Sequence, residues 1–140
     1  MPNLPKQPKP AHKQAIRHAW VEERTAARHA RDAGHTTDEW RHLERAHILS
    51  QPLPVAHVRT HLAMLANGIR HRDRREVIGQ LVRLLVAGPG SVVGRYPLGN
   101  TGGANVNAVT PMPIPADLQA VLDSARHPRT SPARRRPTVS

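Results

Sequence analysis

Proline or glycine interrupts the helical periodicity of this chain at four places, and the lengths left between the breaks limit what it can fold into. Gly34, the Pro52/Pro54 pair, Gly68 with the basic RHRDRR run, and the GPG at 88–90 punctuate residues 10–90. The stretches between them run to roughly 14–24 residues, several turns of helix each and longer than most strands. In the first, 10–33, Ile16, Ala19, Trp20, Ala26, Ala27 and Ala30 recur at three- and four-residue spacing. Gly34 suits the left-handed position that closes a helix. Thr36 and Glu39 form a capping-box pattern for a second helix, 37–50. Pro54 suits the first position of a third, 54–69. Asp73 and Glu76 repeat the capping pattern ahead of a fourth, 73–87, which the GPG should stop. That helix is apolar over most of its surface through Val77, Ile78, Leu81, Val82, Leu84 and Leu85, and is expected to be the most buried. Pro115 opens a last helix, 115–126, with Leu118, Val121 and Leu122 facing inward.

Residues 88–113 are too rich in glycine, asparagine and proline for long regular structure. They are expected to cross the helices as an ordered strap anchored by Val92, Val93, Tyr96, Val106 and Val109. The expected fold is therefore all-α: a small up-down helical bundle with a long extended C-terminal strap and a short last helix. It forms one domain, residues 10–126, between two basic Pro-rich arms, 1–9 and 127–140, expected to be disordered.

The arms matter for reading the net charge of +11. Residues 1–17 hold four Lys or Arg and no acid, and 126–140 hold five Arg and no acid, so only +2 remains on 18–125. Such arms can touch nucleic acid nonspecifically through phosphate. With two Trp, one Tyr and no Phe, the chain lacks an aromatic platform for stacking bases. Cysteine is absent, which removes disulfides, thiolate nucleophiles and thiolate metal ligands. No apolar run resembles a signal peptide or a membrane span. A cytoplasmic protein without membrane contact is the expectation.

The segment with chemical content is 43–65, LERAHILSQPLPVAHVRTHLAML. Glu44 and His47 share a face of the second helix with Trp40 and Leu43. On the third helix Val55, Val58, Leu62, Leu65 and Ile69 form the apolar stripe, and His57, His61 and Met64 form a second stripe at its edge. A turn centred near Pro52 sets His57 opposite His47 and His61 opposite Glu44. Four metal-capable side chains, Glu44, His47, His57 and His61, would then meet. A His pair at i and i+4 lets one helix offer two imidazoles to one ion. With no thiolate, the metals to expect are zinc, nickel, cobalt, iron or copper, and a thioether from Met64 would favour copper. Gln80 falls near the level of His61, placed to touch a ligand or the ion. Glu76 falls roughly 7 Å further along the axis and is assigned to its cap, which leaves Glu44 as the site carboxylate. Ordinary imidazoles would release a metal below about pH 6.5. The competing structural reading pairs Glu44 with Arg41, Arg45 or Arg83 and gives His47 and His57 to free groups at the helix ends.

Five stretches taken together, LERAHILSQ, the His-x-x-x-His-x-x-Met-Leu of 57–65, REVIGQ, GRYPLGNTGGANV and PMPIPADL, resemble a family of small bacterial proteins of unknown function over about residues 15–125. The resemblance implies a single-domain bacterial protein and no established activity. The resemblance also implies some weight for a metal, through those relatives that are encoded beside metal-efflux genes. Three functions stay open: a metal-binding accessory protein in metal homeostasis, a metal-dependent enzyme at the same site, and a non-metal interaction module with nucleic-acid-contacting arms.

Overall fold

The structure, a computed structural model, describes residues 10–92, 100–105 and 112–124, without the side chains of 10–12 and 86–92. Five helices form there: α1 Pro10–Asp32, α2 Thr36–Ser50, α3 Pro54–Arg70, α4 Arg74–Val92 and α5 Ala116–Ser124. No strand occurs among the described residues.

The corners follow from local chemistry. Gly34 takes φ +74°, and two reversed bonds close α1: Gly34 N–H to the Arg31 carbonyl at 3.0 Å, and His35 N–H to the Ala30 carbonyl at 2.8 Å. This is a Schellman ending, which a residue without Cβ adopts at least cost. Pro54 occupies the first turn of α3. The Asp73 carboxylate accepts the Glu76 N–H at 3.0 Å and caps α4. Pro115 offers its carbonyl to Gln119 N–H at 2.9 Å and starts α5.

Two local expectations are corrected. The Thr36/Glu39 capping box does not form: α2 begins at Thr36, and His35 at its N-cap makes no side-chain bond to the helix. Glu39 is buried and ion-paired instead with Arg70 at the far end of α3. A buried carboxylate with a guanidinium partner gains more there than from a local cap. The GPG does not stop α4, which continues through Pro89 to Val92. One proline deletes a single ladder bond, which can bend a helix without ending it.

α1 packs along α2 and α3 along α4, while α2 meets α3 and α5 closes on α1 and α2. One core cluster joins Ile16, Ile48, Leu49, Leu53, Ala56, Leu118 and Leu122. A second joins Ala27, Leu43 and Met64. Trp20 donates its indole N–H to Thr60 at 2.9 Å and ties α1 to α3.

The largest departure is the polarity of α3 and α4. The stripe expected in the core faces outward: Val55, Leu62 and Ile69 are exposed, as are Ile78, Leu81, Val82 and Leu85. The buried residues are mostly polar: His57, Thr60, His61, Asn67, Glu76, Gln80 and Arg83, beside Ala56, Met64 and Gly68. Hydrophobic periodicity identifies a helical face but does not say what covers it.

Of the strap, residues 100–105 are described, and Asn100, Gly102 and Gly103 are buried. The expected anchors Val93, Tyr96, Val106 and Val109, the side chain of Val92, and both arms lie outside the described residues. No described helix is long and apolar enough to cross a membrane.

Candidate metal centre

His47 comes from the last turn of α2, and His57 and His61 lie one turn apart near the start of α3. The 51–53 turn folds these helices together, so the three rings share one interior level. All three are buried, with 4%, 6% and 2% of their surface exposed. Their Nε2 atoms converge. The separations are 2.9 Å for His47–His57, 3.1 Å for His57–His61 and 3.2 Å for His47–His61. The rings meet edge-on or tilted, with centroids 4.7–4.8 Å apart, rather than stacked.

The outer nitrogens determine what the inner ones can be. His47 Nδ1 lies 2.7 Å from the carbonyl oxygen of Asn100. A carbonyl only accepts, so Nδ1 carries the proton and the neutral ring presents a bare lone pair at Nε2. His61 Nδ1 lies 2.6 Å from Gln80 Oε1. The Gln80 amide is fixed from its other end, where Nε2 donates to Glu76 and, at 2.7 Å, to the Gly102 carbonyl. Oε1 must therefore accept from His61 Nδ1, and His61 also turns a lone pair inward.

Two bare lone pairs thus face each other at 3.2 Å, and only His57 has a proton to place among the three nitrogens. Protonating the cluster is not an easy remedy. Burial drives the His47 pKa well below its ordinary value, and the charges that His57 and His61 would carry lower it further. His57 falls to about 3, through burial and then His61. His61 falls to about 4 through burial, with the Gln80 bond raising it and the Arg83 charge lowering it. A metal cation would satisfy the lone pairs of His47 and His61, and that of His57 with its proton on Nδ1, without any ring becoming charged. The spacing fits one: tetrahedral ligands about 2.0–2.1 Å from an ion stand about 3.3 Å apart.

A layer of bonds supports this triangle. Glu76 accepts from Gln80 and, at 2.9 Å, from the Ala104 N–H. Asn100 Oδ1 accepts the Gly102 N–H at 2.9 Å and holds the strap's bend. Gly102 has φ +82°, and a Cβ there would lie 2.6–2.8 Å from atoms of the His47 ring. Strap and ring touch because that residue is glycine. Arg83 is also buried, and the nearby Glu76 charge opposes the fall that burial imposes on its pKa.

The residues expected at the site separate into three groups. His47, His57 and His61 are brought together, the one such group among the described residues. Gln80 touches a ligand, as its register suggested. Glu44 stands outside the triangle: it is half-buried, and Trp40 and Thr101 hydrogen-bond its carboxylate. Burial raises its pKa, those two bonds lower it, and the Glu76 charge raises it. Of the partners considered for Glu44, Arg41 bonds Asp38, and Arg45 bonds Glu23 and Asp117. Met64 is fully buried in the cluster with Ala27 and Leu43. Glu76, assigned above to capping, is the carboxylate wired to the site through Gln80. The i, i+4 spacing of Glu76 and Gln80 signalled that link. The contributions of Asn100 and Gly102 had no signal beyond the glycine content of their segment.

A family model described as "Protein of unknown function (DUF3703)" matches residues 14–122. That is most of the chain, and the chain belongs to this family. No curated protein and no solved structure matches it.

Proposed function

We propose that this family member is a cytoplasmic metal-binding accessory protein of metal homeostasis, holding one transition-metal ion on His47, His57 and His61. The observation that carries the reading is the fixed tautomer of two rings. Asn100 and Gln80 each occupy an outer nitrogen, so the inner nitrogens are acceptors aimed at one point. Buried acceptors without a donor or cation are costly, by about 1–3 kcal/mol each. An ion removes that cost. Three neutral imidazoles suit zinc, cobalt, nickel or copper, and iron more commonly takes a carboxylate in its facial triad. In this reading Glu44 braces the strap through Thr101 rather than binding the ion. Exposures of 2–6% at the three rings favour holding the ion over turning over a substrate.

Calorimetric titration of zinc, cobalt, nickel and copper into untagged, chelator-treated protein tests this. One ion per chain is expected for at least one metal, with loss of at least 100-fold in affinity in His57→Ala and in His47→Ala. Undiminished binding in both variants would remove the site.

A further inference from the structure

The outward-facing residues of α3 and α4 form a second feature that the metal site does not explain. On α3, Val55, Leu62 and Ile69 recur every seven residues and are 70%, 50% and 59% exposed. On α4, Ile78, Leu81, Val82 and Leu85 follow an i, i+3, i+4, i+7 pattern and are 63%, 51%, 57% and 79% exposed. Between Glu76 and Leu85 the charged residues are Glu76 and Arg83, and both are buried. The exposed side of α4 over 78–85 therefore carries no charge, an inversion of the usual amphipathic helix.

These rows lie on one surface. The His61–Gln80 bond and the close approach of Gly68 to Val77 show α3 and α4 side by side and antiparallel. At about 100° per residue, Val58 and Leu65 sit just to one side of His61, and Val55, Leu62 and Ile69 lie further round. On α4, Val77 and Leu84 sit just to one side of Gln80, and Leu81 and Leu85 lie further round. In antiparallel helices the same rotational sense leads to the same face. The half-buried Val58, Leu65, Val77 and Leu84 thus floor the groove between two exposed apolar ridges. At roughly 100 Å² apiece, Val55, Leu62, Ile69, Leu81 and Leu85, with Ile78 at the edge, present on the order of 600 Å² of apolar surface, while Val82 turns to the far side of α4. That equals the largest single patches on monomers and approaches the ~800 Å² per partner of a standard interface.

We propose that this face is where two copies of the chain meet, the α3–α4 hairpin of one lying on that of the other to form a four-helix layer. Heptad spacing on α3 supplies the ridge that an identical helix accepts, and a two-fold contact needs only one self-complementary patch. The face offers almost no charge for an oppositely charged partner to read: Arg59 is the charged residue on the exposed side of α3 between Val55 and Ile69. His57 and His61 point to the interior, a quarter of a turn or more round α3 from these ridges, so the two sites do not overlap.

Sedimentation equilibrium of the full chain over a dilution series is expected to give twice the 15.5 kDa chain mass. Leu81→Glu/Leu85→Glu, with helical circular dichroism retained, should weaken self-association at least 100-fold. A second measurement does not depend on disruption. The chain lacks cysteine, so Leu81→Cys or Leu62→Cys introduces a single thiol. A short bismaleimide should link each of these variants into covalent dimers, while Glu22→Cys on the exposed side of α1 should remain unlinked. A monomeric parent at every concentration overturns the proposal. So does equal cross-linking of all three variants. Monomers that float with anionic vesicles would give the face to a lipid surface. Monomers that do not float would give it to another part of this chain.

Discussion

Gln80 decides which nitrogen of His61 faces the other rings, because its own amide is pinned by Glu76 and Gly102. Gln80→Leu keeps the volume and removes the acceptor. The His61 ring would then be free to adopt either tautomer, and partners of this kind typically contribute 10–100-fold to metal affinity. Calorimetry should show a loss in that range with unchanged stoichiometry, and unchanged affinity would mean that Gln80 has no hold on the ring. Glu44→Gln is expected to alter metal affinity less than Gln80→Leu does. The histidine spacing was legible in the sequence because i, i+4 on a helix and a short turn to the next leave little freedom. The bonding of the Glu44 carboxylate to Trp40 and Thr101 was not. A register count places a Cα, but Trp40 and Thr101 determine where that carboxylate is held.

At the scale of elements, the strap is held more by main-chain atoms than by side chains. The Asn100 carbonyl, the Gly102 carbonyl and the Ala104 N–H each bond a residue of the site or its support. Gly102→Ala should therefore act twice. The φ of +82° strains any L-residue, and the new methyl would overlap His47. A loss of about 2–4 kcal/mol in urea unfolding is expected, together with weaker metal binding. Gly34→Ala, where nothing lies within 4 Å of a Cβ, should show the strain alone, at about 1 kcal/mol. Equal penalties at the two glycines would mean that the strap does not rest on the ring. The helix ends at Gly34, Pro54 and Pro115 were readable because each residue acts on its own backbone, whereas the GPG at 88–90 did not stop α4. The inverted polarity of α3 and α4 was not readable. Periodicity shows that a face exists, whereas its burial depends on which other elements arrive.

At the scale of the molecule, the buried histidines couple folding to pH. His57 and His61 titrate at about 3 and 4 in the folded chain, and His47 is also shifted downward. In the unfolded chain imidazoles titrate near pH 6.5. Between roughly pH 6.5 and 3 the unfolded state binds more protons, so the metal-free fold loses stability as pH falls through that window. Above pH 6.5 these residues contribute no slope. Thermal melts of chelated protein at pH 7.5 and pH 5 should show the drop, and His57→Leu should reduce it. Metal affinity of the folded chain should hold to about pH 5, lower than free imidazoles would allow. A pH-independent melting midpoint in the chelated protein would contradict the burial of these rings.

The seating of Gly102 against the His47 ring sets a time as well as a strength. An ion inside the triangle would have the strap on one side and the helices on the others. Its departure would then wait for residues 100–104 to lift. Release would follow the opening frequency of that segment rather than the ion's concentration in solution. Amide hydrogen exchange at Ala104, whose N–H is bonded to Glu76, reports that frequency under conditions where exchange outruns reclosing. Metal loss to excess chelator should match the opening rate and be zero order in chelator. Held this way, an ion would be shielded from competing small ligands and released mainly when another molecule peels the strap back.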